Sequence, residues 1–354
     1  MQLAENISRR RFLSAGVFTA IPLAVPGLTS NLNPALLQRS GSIIRRKLGK
    51  TGLEIPIVSM GVMNADNPAV VRQSYEIGVR LFDTAMNYQG GRNEEMIGSV
   101  IKSLGVRDKV FLQTKIKKPR AGMTREETRR QMLADLDGCL KRLQTDYVDM
   151  LLLHGSTDDE MNDPGVMEAL AEAKKQGRAR FIGVSAHAFQ TEILNDAVRS
   201  KFYDTITIAF NFTQAGNSAL IEAIKKAAAS GIGLIAMKTQ ASGRRGPGFG
   251  APVNHTAALK WVLNHPEITT AIPGYTNFEH MKEDFSVAYG LEYTEEERKF
   301  LAEKNLRAEI QFCQQCRQCT ATCIRGVDIP ALMRTHMYAA RYGNFVQARE
   351  TLDE

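Results

Sequence analysis

The chain has 354 residues, of which 44% are hydrophobic and 23% charged, a composition typical of a folded globular protein. It excludes disorder, collagen and coiled coil as descriptions of the whole chain. The net charge of +7 is dispersed along the sequence, whereas nucleic-acid binding needs basic residues gathered on one face. Four of the five cysteines fall between residues 313 and 323, unlike those of a disulfide-stapled secreted domain.

Residues 1–40 have the pattern of an export signal followed by a linker. Arg9, Arg10 and Arg11 precede a modestly apolar run at 12–28, and together they resemble a twin-arginine signal. The run contains prolines and is shorter than the ~20 apolar residues that a membrane span needs, so we expect no stable membrane anchor. The segment predicts a periplasmic protein exported by the twin-arginine machinery, with a cytoplasmic protein as the alternative.

From residue 43 onward, strand-like and helix-like runs alternate. The first two, Ile43–Leu48 and Leu53–Ile55, predict a β-hairpin. Eight short apolar runs, each predicted as a strand, follow at Ile57–Val62, Val79–Phe82, Val110–Gln113, Tyr147–Leu153, Ala179–Val184, Thr205–Ile208, Ile232–Ala236 and Thr270–Ile272. Segments with helical spacing lie between or after them at Thr124–Leu143, Asp163–Gln176, Gln190–Arg199, Ser218–Ser230, Asn254–Leu263 and Phe278–Tyr289.

Strand–helix units with buried apolar strands predict an α/β fold, a closed (β/α)₈ TIM barrel over residues 43–290. A doubly wound sheet is the alternative. It would need a glycine-rich turn directly after the first strand, and Gly61-Val62-Met63-Asn64 does not supply one.

Four ionisable residues lie at or just beyond successive predicted strand ends. Asp83 ends the second strand and Tyr88 lies in the loop beyond it, while Lys115 ends the third strand and His154 the fourth. Taken singly, each has an ordinary structural interpretation, such as a helix cap, loop packing or a structural histidine. Because active sites of this fold lie at the carboxyl ends of the strands, the four together predict a catalytic site.

These residue types fit the reduction of a carbonyl group. A tyrosine, with a pKa of about 10, is too weak an acid at neutral pH unless a neighbouring ammonium lowers that pKa. We expect Lys115 to be that neighbour and Asp83 to hold Lys115 charged and oriented. Tyr88 would donate a proton to the carbonyl oxygen, and His154 would orient the carbonyl and stabilise the developing negative charge.

Several segments resemble the aldo-keto reductase superfamily, in the expected order over about 45–290. They are Gly78–Ala85, Tyr88, Asn93-Glu94, Gln113-Thr114-Lys115, Asp146–His154, Gly183-Val184-Ser185, Trp261-Val262-Leu263 and Ile272-Pro273-Gly274. The resemblance implies a (β/α)₈ barrel and a nicotinamide cofactor bound without a Rossmann domain. It also implies the catalytic tetrad Asp83, Tyr88, Lys115 and His154.

The same resemblance implies where the cofactor binds. The implied cofactor-binding residues are Ser185, Thr207, Met237, Lys238, Gly274, His280, Glu283 and Asp284. NADP and NAD both stay open, because the residues that usually hold a 2′-phosphate look replaced in this chain by Gly274, Tyr275 and His280. The glycine- and arginine-rich loop 239–252 is expected either to wrap a pyrophosphate or to be a surface loop.

The four clustered cysteines are spaced as Cys313-x₂-Cys316-x₂-Cys319-x₃-Cys323. This is the spacing of a bacterial ferredoxin run, whose thiolates hold a [4Fe–4S] cluster. Zinc, disulfides and free thiols are the alternatives; zinc sites more often use two Cys-x₂-Cys pairs that lie farther apart. Because the chain lacks cysteines for a second cluster, we expect all four to bind one. Residues 328–354 have a helical pattern, and residues 291–354 as a whole resemble the ferredoxin-like C-terminal extension of some aldo-keto reductases.

The leading functional hypothesis is an exported oxidoreductase that acts on a carbonyl or alcohol and carries an iron–sulfur cluster. The alternative is a redox-sensing or electron-transfer protein whose barrel binds nucleotide with little turnover. The expected partners are a small-molecule substrate, the twin-arginine machinery and a redox partner protein. No nucleic acid is expected.

Overall fold

A β-hairpin opens the part of the chain that the computed structural model describes, which comprises residues 41–117, 122–241, 253–303, 313, 319–341 and 343–352. Strand β1 (Arg45–Lys47) pairs antiparallel with β2 (Glu54–Pro56). Leu48 and Ile55 are fully buried and join an apolar cluster with residues inside the barrel. Gly233 permits this close packing, because a Cβ there would lie 2.5 Å from Leu48 Cγ. The hairpin therefore seals one end of the barrel.

Within the described ranges, eight parallel strands form one sheet in which each strand pairs with the next along the chain. They are β3 (Met60–Gly61), β4 (Leu81–Asp83), β5 (Phe111–Ile116), β6 (Val148–Leu153), β7 (Ala179–Ala186), β8 (Thr205–Ala209), β9 (Gly233–Met237) and β10 (Ile268–Ala271). A parallel bridge between Val58 and Ala271 closes the sheet. The Gly61 N–H strengthens this closure by donating to the Pro273 carbonyl at 3.0 Å. The predicted (β/α)₈ barrel is confirmed.

Helices cover the outside of the barrel. Those up to residue 303 are α1 (Pro68–Ile77), α2 (Arg92–Leu104), α3 (Arg125–Leu143), α4 (Asp158–Met161), α5 (Pro164–Lys175), α6 (Gln190–Ser200), α7 (Ser218–Ala229), α8 (His255–Leu263), α9 (Phe278–Phe285) and α10 (Glu295–Ala302). Polar side chains fix their starts. Thr124 and Glu127 form a capping box at α3, and Asn67 caps α1 ahead of Pro68.

The strands are buried on both faces, which explains their continuous apolar sequences. In β6, Leu151 and Leu153 belong to the cluster that packs under the helices. Met150 and Leu152 belong to the cluster inside the barrel, as the two-residue period of a strand requires.

The C-terminal segment packs against the loops at the strand ends. It contains α11 (Ile329–His336), a π-helical turn (Met337–Arg341) and α12 (Phe345–Leu352). Asn344 Nδ2 donates to Asn64 Oδ1 at 3.0 Å, and Asn87 Nδ2 donates to Glu350 Oε2 at 2.7 Å. The segment therefore lies directly over the rim that carries the predicted catalytic residues. No helix among the described residues is long and apolar enough to span a membrane.

Candidate active site

A cavity of about 720 Å³ opens at the carboxyl ends of the strands, within the usual size range of small-molecule sites. Asp83 and Tyr88 line one part of it, and Met237 and Lys238, from the end of β9, line another. Residues 343–346 of the C-terminal segment contribute to the wall. Two of the four predicted catalytic residues, Asp83 and Tyr88, therefore border a space that can hold a ligand.

Lys115 is the centre of the hydrogen-bond network at this rim. Its Nζ lies 2.6 Å from Asp83 Oδ1 and donates to the Thr84 carbonyl at 2.7 Å and to Tyr88 Oη at 3.3 Å. Only 1% of Lys115 is exposed. The three oxygens satisfy the donors of a buried ammonium, which is what keeps a charge stable away from water.

Tyr88 lies between Lys115 and His154. Its ring meets the His154 ring edge to face, with the centroids 5.7 Å apart, and Lys115 Nζ lies 4.9 Å from the Tyr88 ring centroid. Because the phenol oxygen accepts a hydrogen bond from Lys115, the phenol hydrogen is left to be donated elsewhere. The structure thus brings all four predicted catalytic residues together.

The pKa of Tyr88 is shifted upward, whereas the sequence predicted a downward shift. Burial, and then the charge of Asp83, raise the pKa of Tyr88 well above its ordinary value. Burial also lowers the pKa of Lys115, while the Asp83 carboxylate opposes that shift. Desolvation of the buried phenol and the nearby Asp83 carboxylate outweigh the effect of the Lys115 ammonium on the Tyr88 pKa. At neutral pH Tyr88 is therefore a phenol, the form that donates a proton.

Gln113 is a further member of the site, and the sequence motifs assigned no role to it. It is fully buried, and its Nε2 donates to Asp83 Oδ1 at 2.6 Å and to Thr207 Oγ1 at 3.1 Å. Gln113 lies two residues before Lys115 in β5, so both side chains point to the same face of the strand. This spacing is the sequence signal that could have identified it.

Four of the eight predicted cofactor-binding residues line the cavity and the other four do not. Met237, Lys238, Gly274 and His280 line the cavity. Ser185 and Thr207 are fully buried, and their hydroxyl groups bond protein atoms: Ser185 Oγ accepts from the Gly155 N–H at 3.0 Å. Asp284 Oδ1 accepts from Nε2 of the cavity residue Gln240 at 2.6 Å, whereas Glu283 is exposed.

Unpartnered polar atoms in the cavity wall fit a polar ligand such as a nicotinamide nucleotide. Thr239 is 1% exposed and its hydroxyl has no hydrogen-bond partner. Nδ1 of the partly buried His187 is likewise a buried atom without a hydrogen-bond partner. A buried polar group without a partner costs free energy, so both atoms favour a ligand that completes their hydrogen bonds. Most of the predicted loop 239–252 lies outside the described residues.

Three of the four clustered cysteines are described, and Cys316 lies outside the described residues. No disulfide joins the three described cysteines of this cluster, Cys313, Cys319 and Cys323, to one another. In the described part of the chain, no three His, Cys, Asp or Glu side chains are grouped as metal ligands. Hydrogen bonds from the backbone N–H groups of Val327, Arg325 and Gly326 lower the pKa of the Cys323 thiol. Such bonds stabilise a thiolate, the form that ligates metals, so this cysteine fits a cluster ligand.

Comparison with known proteins agrees with the family resemblance of the sequence motifs. The sequence model of the Aldo/keto reductase family matches residues 59–246, more than half of the chain. L-galactose dehydrogenase from Arabidopsis thaliana is 26% identical over 299 residues, covering 73% of this chain and 92% of that protein.

Solved structures show the same fold. Aldo-keto reductase AKR11C1 from Bacillus halodurans, in its holo form, has a TM-score of 0.61 at 22% identity, covering 73% of this chain and 95% of the other. An aldo/keto reductase from Klebsiella pneumoniae in complex with NADP and acetate has a TM-score of 0.57 at 24% identity, with 73% and 93% coverage. The matched family segment includes the four predicted catalytic residues and ends before the four clustered cysteines at 313–323.

Proposed function

Because this chain belongs to the aldo/keto reductase family and is an oxidoreductase of that type, we propose that it transfers hydride between NADP or NAD and a carbonyl or alcohol substrate. The observation that carries the proposal is the buried network in which Lys115 Nζ touches both Asp83 and Tyr88 at the edge of the cavity. An ammonium, a carboxylate and a phenol in this arrangement serve to move a proton at the phenol oxygen.

In the reduction direction, Tyr88 gives its phenol proton to the substrate oxygen. Lys115, held by Asp83 at 2.6 Å, stabilises the negative charge that develops on the phenol oxygen. His154 lies beside the Tyr88 ring and orients the carbonyl oxygen toward that proton. In the oxidation direction the same phenol oxygen takes the proton back, by microscopic reversibility.

The nicotinamide ring, when bound, supplies or accepts the hydride. Met237, Lys238, Gly274 and His280 are the predicted cofactor residues that line the cavity, and Thr239 and His187 offer polar atoms without protein partners. A flexible thioether such as that of Met237 packs well on a flat ring. The structural relative from Klebsiella pneumoniae is described in complex with NADP, which supports a nicotinamide nucleotide here as well.

This proposal is tested with anaerobically purified full-length protein. Titration with NADPH and with NADH, followed by cofactor fluorescence, should show binding of at least one of them. A panel of aldehydes and ketones should then cause absorbance at 340 nm to fall, a standard readout of nicotinamide oxidation. Binding without oxidation of either cofactor by any carbonyl would instead favour the redox-sensing or electron-transfer alternative.

We also propose that Cys313, Cys316, Cys319 and Cys323 ligate one [4Fe–4S] cluster. The cysteine spacing and the backbone N–H groups around Cys323 support it. Zinc remains the alternative metal, and iron, labile sulfide and zinc analysis of the same preparation distinguishes the two. A cluster would also give a redox partner protein a point of electron entry.

We further propose that the protein is exported to the periplasm by the twin-arginine route. The argument rests on the three arginines at 9–11 and on the chemistry of the cluster. This route carries folded proteins, and a cluster has to be inserted before folding is complete. Fractionation of cells that make the native chain tests the proposal.

A further inference from the structure

A basic side chain in the cavity wall, Lys238, lies within electrostatic reach of a second one, Arg334, from a distant part of the chain. Lys238 follows β9 and lines the cavity, with its backbone held by a hydrogen bond from Asn211 Nδ2 to the Lys238 carbonyl at 3.1 Å. Arg334 lies on α11 of the C-terminal segment and its Nε is buried. Tyr338 comes four residues after Arg334, so the two side chains share one face of the helical segment.

Tyr338 links these two residues in space. It is 4% exposed, and its ring centroid lies 5.0 Å from Lys238 Nζ. The C-terminal segment therefore brings the face that carries Arg334 against the end of β9. We propose that Lys238 and Arg334 form an anion subsite for a carboxylate or phosphate group of the substrate, an inference that rests on the proposed reductase function.

The electrostatics of the neighbouring groups agree with this geometry. Burial, then the charges of Lys115 and Arg334, lower the pKa of Lys238 to about 7. Burial, then Lys238 and Arg334, lower the pKa of His187 well below its ordinary value. The positive charges of Lys115, Lys238 and Arg334 are thus within electrostatic reach of one another, and a bound anion would relieve their repulsion.

The location favours the substrate as the source of the anion. Lys238 interacts electrostatically with both Lys115 and Asp83, so it lies at the catalytic end of the cavity. Arg334 belongs to the same C-terminal segment as Asn344 and Phe345, which line the cavity. A guanidinium binds planar carboxylates and phosphates through two parallel hydrogen bonds. His187 Nδ1, which has no protein partner, adds a further polar contact.

The cofactor pyrophosphate is the other possible source of the same anionic chemistry, and the experiment separates the two. The substrates are 4-oxobutanoate and butanal, aldehydes of equal chain length that differ by one carboxylate. We compare kcat/KM for both in the wild type, Lys238→Met and Arg334→Gln, and measure NADPH affinity by fluorescence. Lys299→Met, which removes a charge from the exposed surface of α10, is the matched control.

The subsite predicts that each test variant lowers the ratio of kcat/KM for 4-oxobutanoate over butanal by about ten-fold or more, the loss expected for one charged hydrogen bond. Lys238→Arg and Arg334→Lys should recover part of that ratio, which a merely misfolded variant would not do. Lys299→Met should leave the ratio unchanged. An unchanged ratio accompanied by weaker NADPH binding would assign these residues to the cofactor phosphates and overturn the proposal.

A measurement without turnover separates failure of the subsite from failure of the reductase function. Succinate carries carboxylates but no reducible carbonyl, and its binding to the NADP⁺-loaded protein is followed by calorimetry. Weaker succinate binding in Arg334→Gln and Lys238→Met supports the subsite even if no aldehyde is reduced. Equal succinate binding in both variants and the wild type overturns it, whatever the activity of the protein.

Discussion

Lys115 contacts the phenol oxygen of Tyr88, the proposed proton donor. Replacing Lys115 with Met removes the ammonium that touches Tyr88 and leaves the Asp83 carboxylate, which itself raises the pKa of the phenol. We expect the pH profile of alcohol oxidation in Lys115→Met to shift to the alkaline side, with activity at neutral pH below that of the wild type. Steady-state rates between neutral and alkaline pH measure the shift.

The matched control for this variant is the double variant Lys115→Met with Asp83→Asn. It removes both charges, and so avoids leaving a buried carboxylate without its partner. Its profile should lie less far to the alkaline side than that of the single variant. Identical profiles in the wild type and in an active Lys115→Met protein would contradict the electrostatic role of Lys115.

Carbonyl reduction needs the protonated phenol of Tyr88, so its rate should fall only at alkaline pH. Because the pKa of Tyr88 is raised, the phenol stays protonated through neutral pH and is lost only as the pH rises through that raised value. The chemical step of carbonyl reduction should therefore be independent of pH around neutrality. Single-turnover rates at saturating cofactor test this, and a fall in rate between pH 6 and about 8 would mean that another group supplies the proton.

The four residues proposed as catalytic could be selected from the sequence because each lies at or just beyond the carboxyl end of a strand, and the fold places all these ends on one rim. The upward shift of the Tyr88 pKa was not predictable, because it depends on burial and on the distance to Asp83. Gln113 was missed because its spacing two residues before Lys115 predicts only that the two side chains share a face of the strand, and the role of an uncharged amide follows from its contact with Asp83.

At the scale of elements, the eight predicted strands are found, with bounds that differ by a few residues. The helices α1 and α2 have no counterpart among the predicted helices. Helix α2 carries the buried polar residues Asn93 and Glu94 on its inner side, which interrupts the apolar period. Asn93 holds the loop after β3 through the Val62 carbonyl at 2.7 Å, so these polar residues are part of the packing.

Helical periodicity predicts that the C-terminal segment is helical, but it does not predict where the segment packs. Its helical pattern is visible in the sequence, but its position over the cavity follows from contacts with residues far away in the chain. Asn344 with Asn64 and Glu350 with Asn87 are such pairs. No local pattern encodes either pair.

The cysteine-containing element has its own test. The proposed [4Fe–4S] cluster predicts that Cys323→Ser, which removes one of its four proposed ligands, lacks the iron, the labile sulfide and the brown chromophore of the wild type. Cys139→Ser is the matched control, because Cys139 is buried in α3 and belongs to the apolar core. It should keep the iron content of the wild type. One zinc and no iron per wild-type chain would contradict the cluster.

At the scale of the whole molecule, export is tested with a triple variant. Replacing Arg9, Arg10 and Arg11 with Lys keeps the positive charge but removes every arginine pair. We expect the variant to stay in the cytoplasm as a folded protein with its metal, while the wild type reaches the periplasm. Cell fractionation with iron analysis of each fraction measures this. Equal export of both proteins would contradict the twin-arginine route.

The central claim is that the phenol of Tyr88 is the proton donor of a carbonyl reductase. Tyr88→Phe keeps the buried ring beside His154 and removes only the hydroxyl that Lys115 contacts. The decisive measurement is the single-turnover rate of NADPH oxidation by an aldehyde in the wild type and in Tyr88→Phe, with cofactor affinity measured in parallel. We predict a loss of about 10²–10⁴-fold in rate with NADPH affinity retained. A wild-type rate in the variant would contradict the assignment.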